Sequence, residues 1–385
     1  MLTRRSFFKL LAAIGITTTI VPSRMRDHFS SVPADEKTAT NISDALKYPR
    51  VATSMPGKFP AKVSQIIHNK CVVDEKINQA TVDEMVKAAM LGLTGLTDIS
   101  AAWLTFVSPN EVIGLKVNPV AGKELSTSLE IVRSIISQLK AAGIPDKNIV
   151  IWDRREFEMQ EVGFTAEAFP GIKITGTECK DEKGSFYDAN GKLYSEARID
   201  KDWFYKASCT DKYDAETLPY MINEGEYSYF TRIVTKDVDK IINIPILKNA
   251  GASITLCLKN LAFGSITNTG RLHKTLWHET CAEVCAFPPL RDKVVLNIVD
   301  GIKGCFNGGP GANPQFITNF NTVLAGSDAV AVDRVGYDII LKKRIAENIQ
   351  KEDSAKGKKF MELAAGFGLG EANLEKIELK KEVIG

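Results

Sequence analysis

A chain of 385 residues, 44% hydrophobic and 25% charged, has an ordinary globular composition and is long enough to bury a large core. Its 49 basic and 47 acidic residues leave a formal net charge of +2, which excludes the strong positive field of a protein that binds nucleic acid or an anionic membrane. Seven cysteines, Cys71, Cys179, Cys209, Cys257, Cys281, Cys285 and Cys305, form an odd set without tight repeated spacing, so a disulfide scaffold is excluded and at least one thiol is expected free.

At the N-terminus, Thr3-Arg4-Arg5-Ser6-Phe7-Phe8-Lys9 precedes a mildly apolar run over residues 10–21. Paired arginines, an aromatic residue and a lysine before such a run resemble the twin-arginine export signal; a basic amphipathic helix is the competing reading. The run is about half of the roughly 20 residues a spanning helix needs, so no stable membrane span is expected. Residues 1–34, closing on Val32-Pro33-Ala34, are read as the signal and residues 35–48 as a linker. The resemblance implies the twin-arginine translocase as an export partner, a periplasmic or other extracytoplasmic location, and a chain that folds, with any cofactor, before export.

Residues 49–385 read as one α/β domain. Pro56-Gly57 and Pro60 break residues 51–70 into short extended pieces, and residues 80–91 carry apolar positions at helical spacing. A strand over 111–119, a helix over 126–142 stopped by Gly143, and a strand over 148–153 make a crossover unit, hence a parallel sheet. Residues 177–236 are rich in Tyr, Phe and Trp, with a hairpin signal at Asp188-Ala189-Asn190-Gly191; they read as an inserted cap or subdomain, or else a decorated surface loop. Residues 238–247 return to the buried-strand pattern. Residues 251–260 look like a loop entering a helix whose free N–H groups could hold an anion. Further helices fit 273–286, 327–342 and 354–367. Residues 293–301 form an apolar run that stops at Asp300-Gly301, before a glycine-rich loop. The expected fold is therefore α/β, a mostly parallel central sheet with helices on both faces and an inserted aromatic-rich subdomain.

Four expected strands end in polar groups: Asn118, Asp153, Lys248 with Asn249, and Asp300. In a parallel sheet such ends share one edge, where open α/β sheets bind ligands. Asp300, Lys248 and Lys259 are the candidate catalytic residues, a lysine fixing an anion and Asp300 acting as base or metal ligand. Asn118, Asn260, Gly308, Gly309, Asp328 and Asp333 are the candidate substrate-binding residues. Each has a bland alternative: Asp328 as a helix cap, Asp333 paired with a surface cation, and Gly308-Gly309 as a tight turn. His278, Cys281 and Cys285, at i, i+3 and i+7, share one helical face and could ligate a metal, or the cysteines could be small apolar core residues.

Several of these stretches together resemble the domain of unknown function 362 family. They are Ile244-Pro245-Ile246-Leu247-Lys248, Ile254-Thr255-Leu256-Cys257-Leu258-Lys259-Asn260-Leu261, Ile298-Val299-Asp300-Gly301-Ile302, and Leu324-Ala325-Gly326-Ser327-Asp328-Ala329-Val330-Ala331-Val332-Asp333. Gly308-Gly309-Pro310-Gly311 and Gly368-Leu369-Gly370-Glu371 also fit, and the resemblance spans most of residues 111–380. It implies an iron–sulfur redox partner. This chain carries no ferredoxin-type cysteine module and has Ala250 where the resemblance implies a histidine. Two functions compete. One is an exported, redox-linked enzyme acting on a small polar or anionic substrate at the strand-end crevice, with a metal ion or iron–sulfur-derived electrons as its cofactor. The other is a non-catalytic periplasmic protein that binds a metal, cofactor or ligand, or assists assembly.

Overall fold

The computed structural model describes residues 39–209 and 226–385; the expected export signal and the first residues of the linker lie outside the described residues. Fourteen strands occur among the described residues: β1 (Lys62–Ile67), β2 (Val72–Val73), β3 (Lys76–Ile77), β4 (Ile113–Lys116), β5 (Ile149–Arg155), β6 (Lys173–Glu178), β7 (Ile199–Lys206), β8 (Tyr227–Thr231), β9 (Lys240–Asn243), β10 (Ile246–Ala250), β11 (Ser253–Thr255), β12 (Val294–Cys305), β13 (Ile317–Gly326) and β14 (Glu378–Val383). Ten of them form one sheet in the order β14-β1-β13-β12-β9-β4-β5-β6, with β10 paired to both β11 and β12. Strands β12, β9, β4, β5 and β6 run parallel, and β13 is antiparallel to both of its neighbours. The fold is α/β with a mixed, mostly parallel sheet.

Strand alternation divides the interior into two cores. In β5, Ile149 and Ile151 join the core built with the helices Gln79–Thr94 and Leu129–Ala141. Val150 and Trp152 join the opposite core, built with Cys257–Ser265, Trp277–Ala286, Ala329–Ala346 and Ala355–Gly366. The crossover expected over 111–153 is present as β4, the Leu129–Ala141 helix and β5; Gly143, at φ 94°, turns the chain after the helix. From β4 the chain moves outward to β5 and β6, then returns to the other side of β4 as β9 and continues to β12. Strand order therefore reverses between β4 and β9, the position where an open α/β sheet leaves a crevice at its C-terminal edge.

Three sequence expectations change. The strand expected over 238–247 is interrupted at Pro245, so β9 and β10 are separate, and Lys248 lies inside β10. The run 293–301 does not stop at Asp300-Gly301: β12 continues to Cys305, with its register to β13 shifted between Gly301 and Lys303. Gly301 allows this close pairing, because a Cβ there would sit 2.6 Å from Thr322 Cγ2. The helix expected over 273–286 is two, Leu272–Thr275 and Trp277–Ala286. In the aromatic-rich insertion, β7 and β8 pair as a separate two-stranded sheet, while Asp188–Gly191 makes a turn closed by the bridge of Tyr187 with Leu193.

Candidate active site

At the reversal between β4 and β9, polar side chains replace the apolar ones. Lys116, the last residue of β4, is fully buried beneath the Cys257–Ser265 helix. Its Nζ donates to Asp153, to Val117 O at 2.8 Å and to Asn260 Oδ1 at 3.1 Å. These three acceptors use all three N–H bonds of an ammonium. The ammonium also lies 5.4 Å from the centre of the Trp152 ring. Burial lowers its pKa, and Asp153 pulls in the opposite direction. The helix approaches this closely through Gly264, where a Cβ would lie 2.6 Å from Lys116 Nζ.

Lys248, on β10, is equally buried and donates to one side-chain acceptor, Asn118 Oδ1, at 2.9 Å. Lys259, on the helix, is partly buried and lies 4.7 Å from the centre of the Phe263 ring. Burial lowers Lys248 to about 7, aided by the neighbouring Lys259 charge, and lowers Lys259 to about 8. Among the described residues neither lysine is in ion-pair contact with a carboxylate.

Asn118, Asp153, Arg154, Lys248, Lys259 and Asn260 line a cavity of about 110 Å³, together with Thr255, Phe263, His273 and Pro310. Asp153 is the one carboxylate among the lining residues, and it is engaged by Lys116. Arg154 pairs with Glu178 at 3.4 Å. His273 places Nδ1 2.9 Å from Thr269 O, so that nitrogen carries the proton, and burial lowers the ring pKa to about 3. Thr255 Oγ1 is buried and has no hydrogen-bond partner among the described residues. Lys259, His273 and Pro310 also border a second cavity of about 390 Å³, which adds Lys274, Lys356, Lys359 and His278.

A chain of asparagines runs inward from the lysines. Asn118 Nδ2 and Lys116 both donate to Asn260 Oδ1, so Asn260 Nδ2 points away and donates to Asn243 Oδ1 at 2.8 Å. Asn243 Nδ2 donates to Asn297 Oδ1 at 2.9 Å, and Asn297 Nδ2 to the carbonyls of Gly326 and Ser327. An ammonium cannot accept, so the Lys116 contact fixes the orientation of every amide that follows.

The structure brings together Asn118, Lys248, Lys259 and Asn260, and separates the acids from them. Asp300 aligns along β12 with Ile298 and Ile302 of one core, whereas Asn297 and Val299 face the other side. It borders a different cavity, and its carboxylate accepts from Ser128 N at 2.8 Å and Ile302 N at 3.2 Å. Asp300 is thus an anchor for the start of the Leu129–Ala141 helix rather than a partner of Lys248. Asp333 accepts from Cys257 N at 2.6 Å and Leu258 N at 3.0 Å; it is the anion held by the helix N-terminus that the sequence offered to a ligand. Asp328 caps the Ala329–Ala346 helix through Ala331 N and ties in Ala61 N and Glu371 N. Gly308, at φ 71°, and Gly309, where a Cβ would meet the Asn249 backbone, form a turn packed on β10, and it is Pro310 that borders the cavity.

His278, Cys281 and Cys285 do not assemble a metal site, and among the described residues no three His, Cys, Asp or Glu side chains form one. Cys281 and Cys285 are fully buried, and burial holds both thiols well above their ordinary pKa, the protonated state that ligates poorly. All seven cysteines are free. Sequence reasoning missed Lys116, Thr255, His273, Asn243 and Asn297. The signal for Lys116 was a lysine inside an apolar strand; the others had none.

A family model described as Domain of unknown function (DUF362) matches residues 113–338, more than half of the chain, and the chain belongs to that family. No curated protein matches it. Among solved structures, a crystal structure of a Thermotoga maritima protein is similar at 8% identity and a TM-score of 0.37, covering 71% of this chain and 59% of its own. The lactate racemase apoprotein from Thermoanaerobacterium thermosaccharolyticum is similar at 10% identity and a TM-score of 0.35, covering 77% of this chain and 59% of its own. This chain thus spans 59% of the length of each. Among the described residues no helix is long and apolar enough to cross a membrane.

Proposed function

We propose that this member of the DUF362 family is an exported enzyme that binds a small anionic substrate in the lysine-lined cavity at the β4–β9 reversal. The observation that carries this reading is the imbalance of charge. Asp153 is engaged by Lys116 and Arg154 by Glu178, which leaves Lys248 and Lys259 facing a small cavity without a counter-ion. Unpaired buried cations are costly, and an arriving anion relieves that cost. Asn118, Asn260 and Thr255 supply further polar groups that would orient it.

Calorimetric titration with acetate, pyruvate and inorganic phosphate tests the reading. Binding is expected near pH 6 and should weaken toward pH 9, because an anion favours the ammonium forms of lysines that titrate at about 7 and about 8 in the free protein. Lys248→Met and Lys259→Met should each weaken it at least tenfold. Absence of binding, or binding indifferent to both substitutions, would overturn the proposal. Binding without turnover of any substrate would instead favour the non-catalytic role. The redox link implied by the family resemblance is tested on the same sample, by metal analysis and an absorption spectrum of protein purified without chelator.

Export rests on the sequence of residues 1–34. Replacing Arg4 and Arg5 together by lysine should retain the precursor in the cytoplasm, and normal export of that variant would remove the assignment.

A further inference from the structure

The three lysines of the site do not share one bonding state. Lys116 Nζ has three acceptors around it, one of them a carboxylate, which is the complete valence of an ammonium. Among the described residues Lys248 Nζ has one side-chain acceptor, the neutral amide oxygen of Asn118, and no carboxylate. Its surroundings add a second cation, Lys259, in the same cavity. A nitrogen with one N–H engaged, no counter-ion and a like charge nearby is arranged as a free amine with an available lone pair. The cavity is small, and Thr255 Oγ1, buried and unpartnered, borders it beside Lys248.

We propose that Lys248 is a nucleophile that condenses with the carbonyl group of a small oxo-carboxylate to form an iminium bound to the enzyme. This rests on the reading of the cavity as an anion site and goes beyond it by naming the reacting atom and the substrate class. The lone pair of Nζ attacks the carbonyl carbon, forming a C–N bond, while the carbonyl oxygen takes a proton and becomes a carbinolamine hydroxyl. That hydroxyl takes a second proton and leaves as water as the C–O bond breaks. The nitrogen gives up one of its two protons in the process, so the sequence consumes one proton net. The Lys259 ammonium can supply it. No electrons are exchanged, and neither an oxidant nor a metal is required. Lys259 is also the cation that receives the substrate carboxylate as it binds, and it recovers from solvent the proton it gives up. The Asn118 amide keeps hold of the remaining N–H of the iminium, because its Oδ1 already accepts from this nitrogen. Burial lowers Lys248 to about 7, so a substantial fraction is unprotonated near neutrality, as such an attack requires.

Borohydride trapping distinguishes this step from simple binding. The whole mature protein is incubated with pyruvate, and separately with acetoacetate, in the presence of sodium borohydride, and analysed by intact mass and by peptide mapping. The expected result is one reduced adduct per chain, located on Lys248, absent without the oxo acid and absent from Lys248→Met. Lys248→Arg keeps the positive charge for anion binding but cannot form the imine, so it too should show no adduct. Calorimetry with the same acids is run in parallel. Binding without an adduct, or adducts scattered over exposed lysines with Lys248 unmodified, would overturn the imine while leaving the anion site intact. Absence of both binding and adduct would overturn the site and the imine together.

Discussion

Three aspartates and three lysines, wholly or partly withdrawn from solvent, are satisfied in different ways. Asp300, Asp328 and Asp333 each accept at least two backbone N–H groups. Their work is to fasten helix N-termini and loops to the sheet. Of the lysines, Lys116 is fully bonded, while Lys248 and Lys259 are left open toward a cavity. Burial is common to both groups; what separates a structural charge from a reactive one is whether the protein has already supplied its partners.

Substitutions can break that comparison, and the largest effect belongs to the anchors. Asp333→Ala strands the N–H groups of Cys257 and Leu258, each buried donor costing roughly 1–3 kcal/mol, so a loss of about 3 kcal/mol is expected in urea unfolding. A loss below about 1 kcal/mol would mean that Asp333 is not an anchor.

Lys248→Met should behave in the opposite manner. It should weaken anion binding at least tenfold yet stabilise the fold by about 1–4 kcal/mol near neutral pH, since it removes a buried cation lacking a counter-ion. The gain depends on pH in a definite direction. Lys248 titrates at about 7 when folded against 10.5 as a free side chain, so between those values the unfolded chain binds more protons and wild-type stability rises with pH. The advantage of the methionine variant should therefore shrink steadily from about pH 7 to about pH 10. A constant difference would contradict the lowered pKa.

Gly264→Ala sharpens the contrast from the helix side. Its new Cβ, 2.6 Å from Lys116 Nζ, must displace the ammonium or the helix, for a loss of about 1–3 kcal/mol in thermal unfolding. Unchanged stability would show that Lys116 is loosely held. The smallest effect is expected at the rim of the outer cavity, where Lys359 pairs with Glu279 at 2.7 Å while half exposed. Lys359→Ala should cost under about 1 kcal/mol and alter anion affinity in a strongly salt-dependent way.

Much of this was legible in the chain. Apolar runs placed β4 and β5, helical spacing stopped by Gly143 placed the Leu129–Ala141 helix, and polar ends of strands placed Asn118 and Lys248 at one edge. What could not be read was the face on which each side chain falls. Asp300 and Lys248 look alike in sequence, polar residues closing apolar runs, but the continuation of β12 to Cys305 makes Asp300 a mid-strand residue pointing into the other core. Pro245 likewise split one expected strand into β9 and β10. Lys116 was visible as a lysine in an apolar strand; its three acceptors come from positions up to 144 residues away, which spacing along the chain does not encode.

The asparagine chain gives the lysine cavity an electrical property without adding charge to it. Each side-chain amide turns its oxygen toward the ammonium groups and its nitrogen toward the middle of the sheet, so the bond dipoles of Asn118, Asn260, Asn243 and Asn297 add head to tail. The array behaves as an electret, a frozen polarisation with no mobile carrier. Amides neither gain nor lose protons in the ordinary pH range, so this polarisation favours cations at the cavity floor and does not drain away as acidity changes. A row of carboxylates would hold the lysines more strongly, but it would also quench the positive potential that an incoming anion needs.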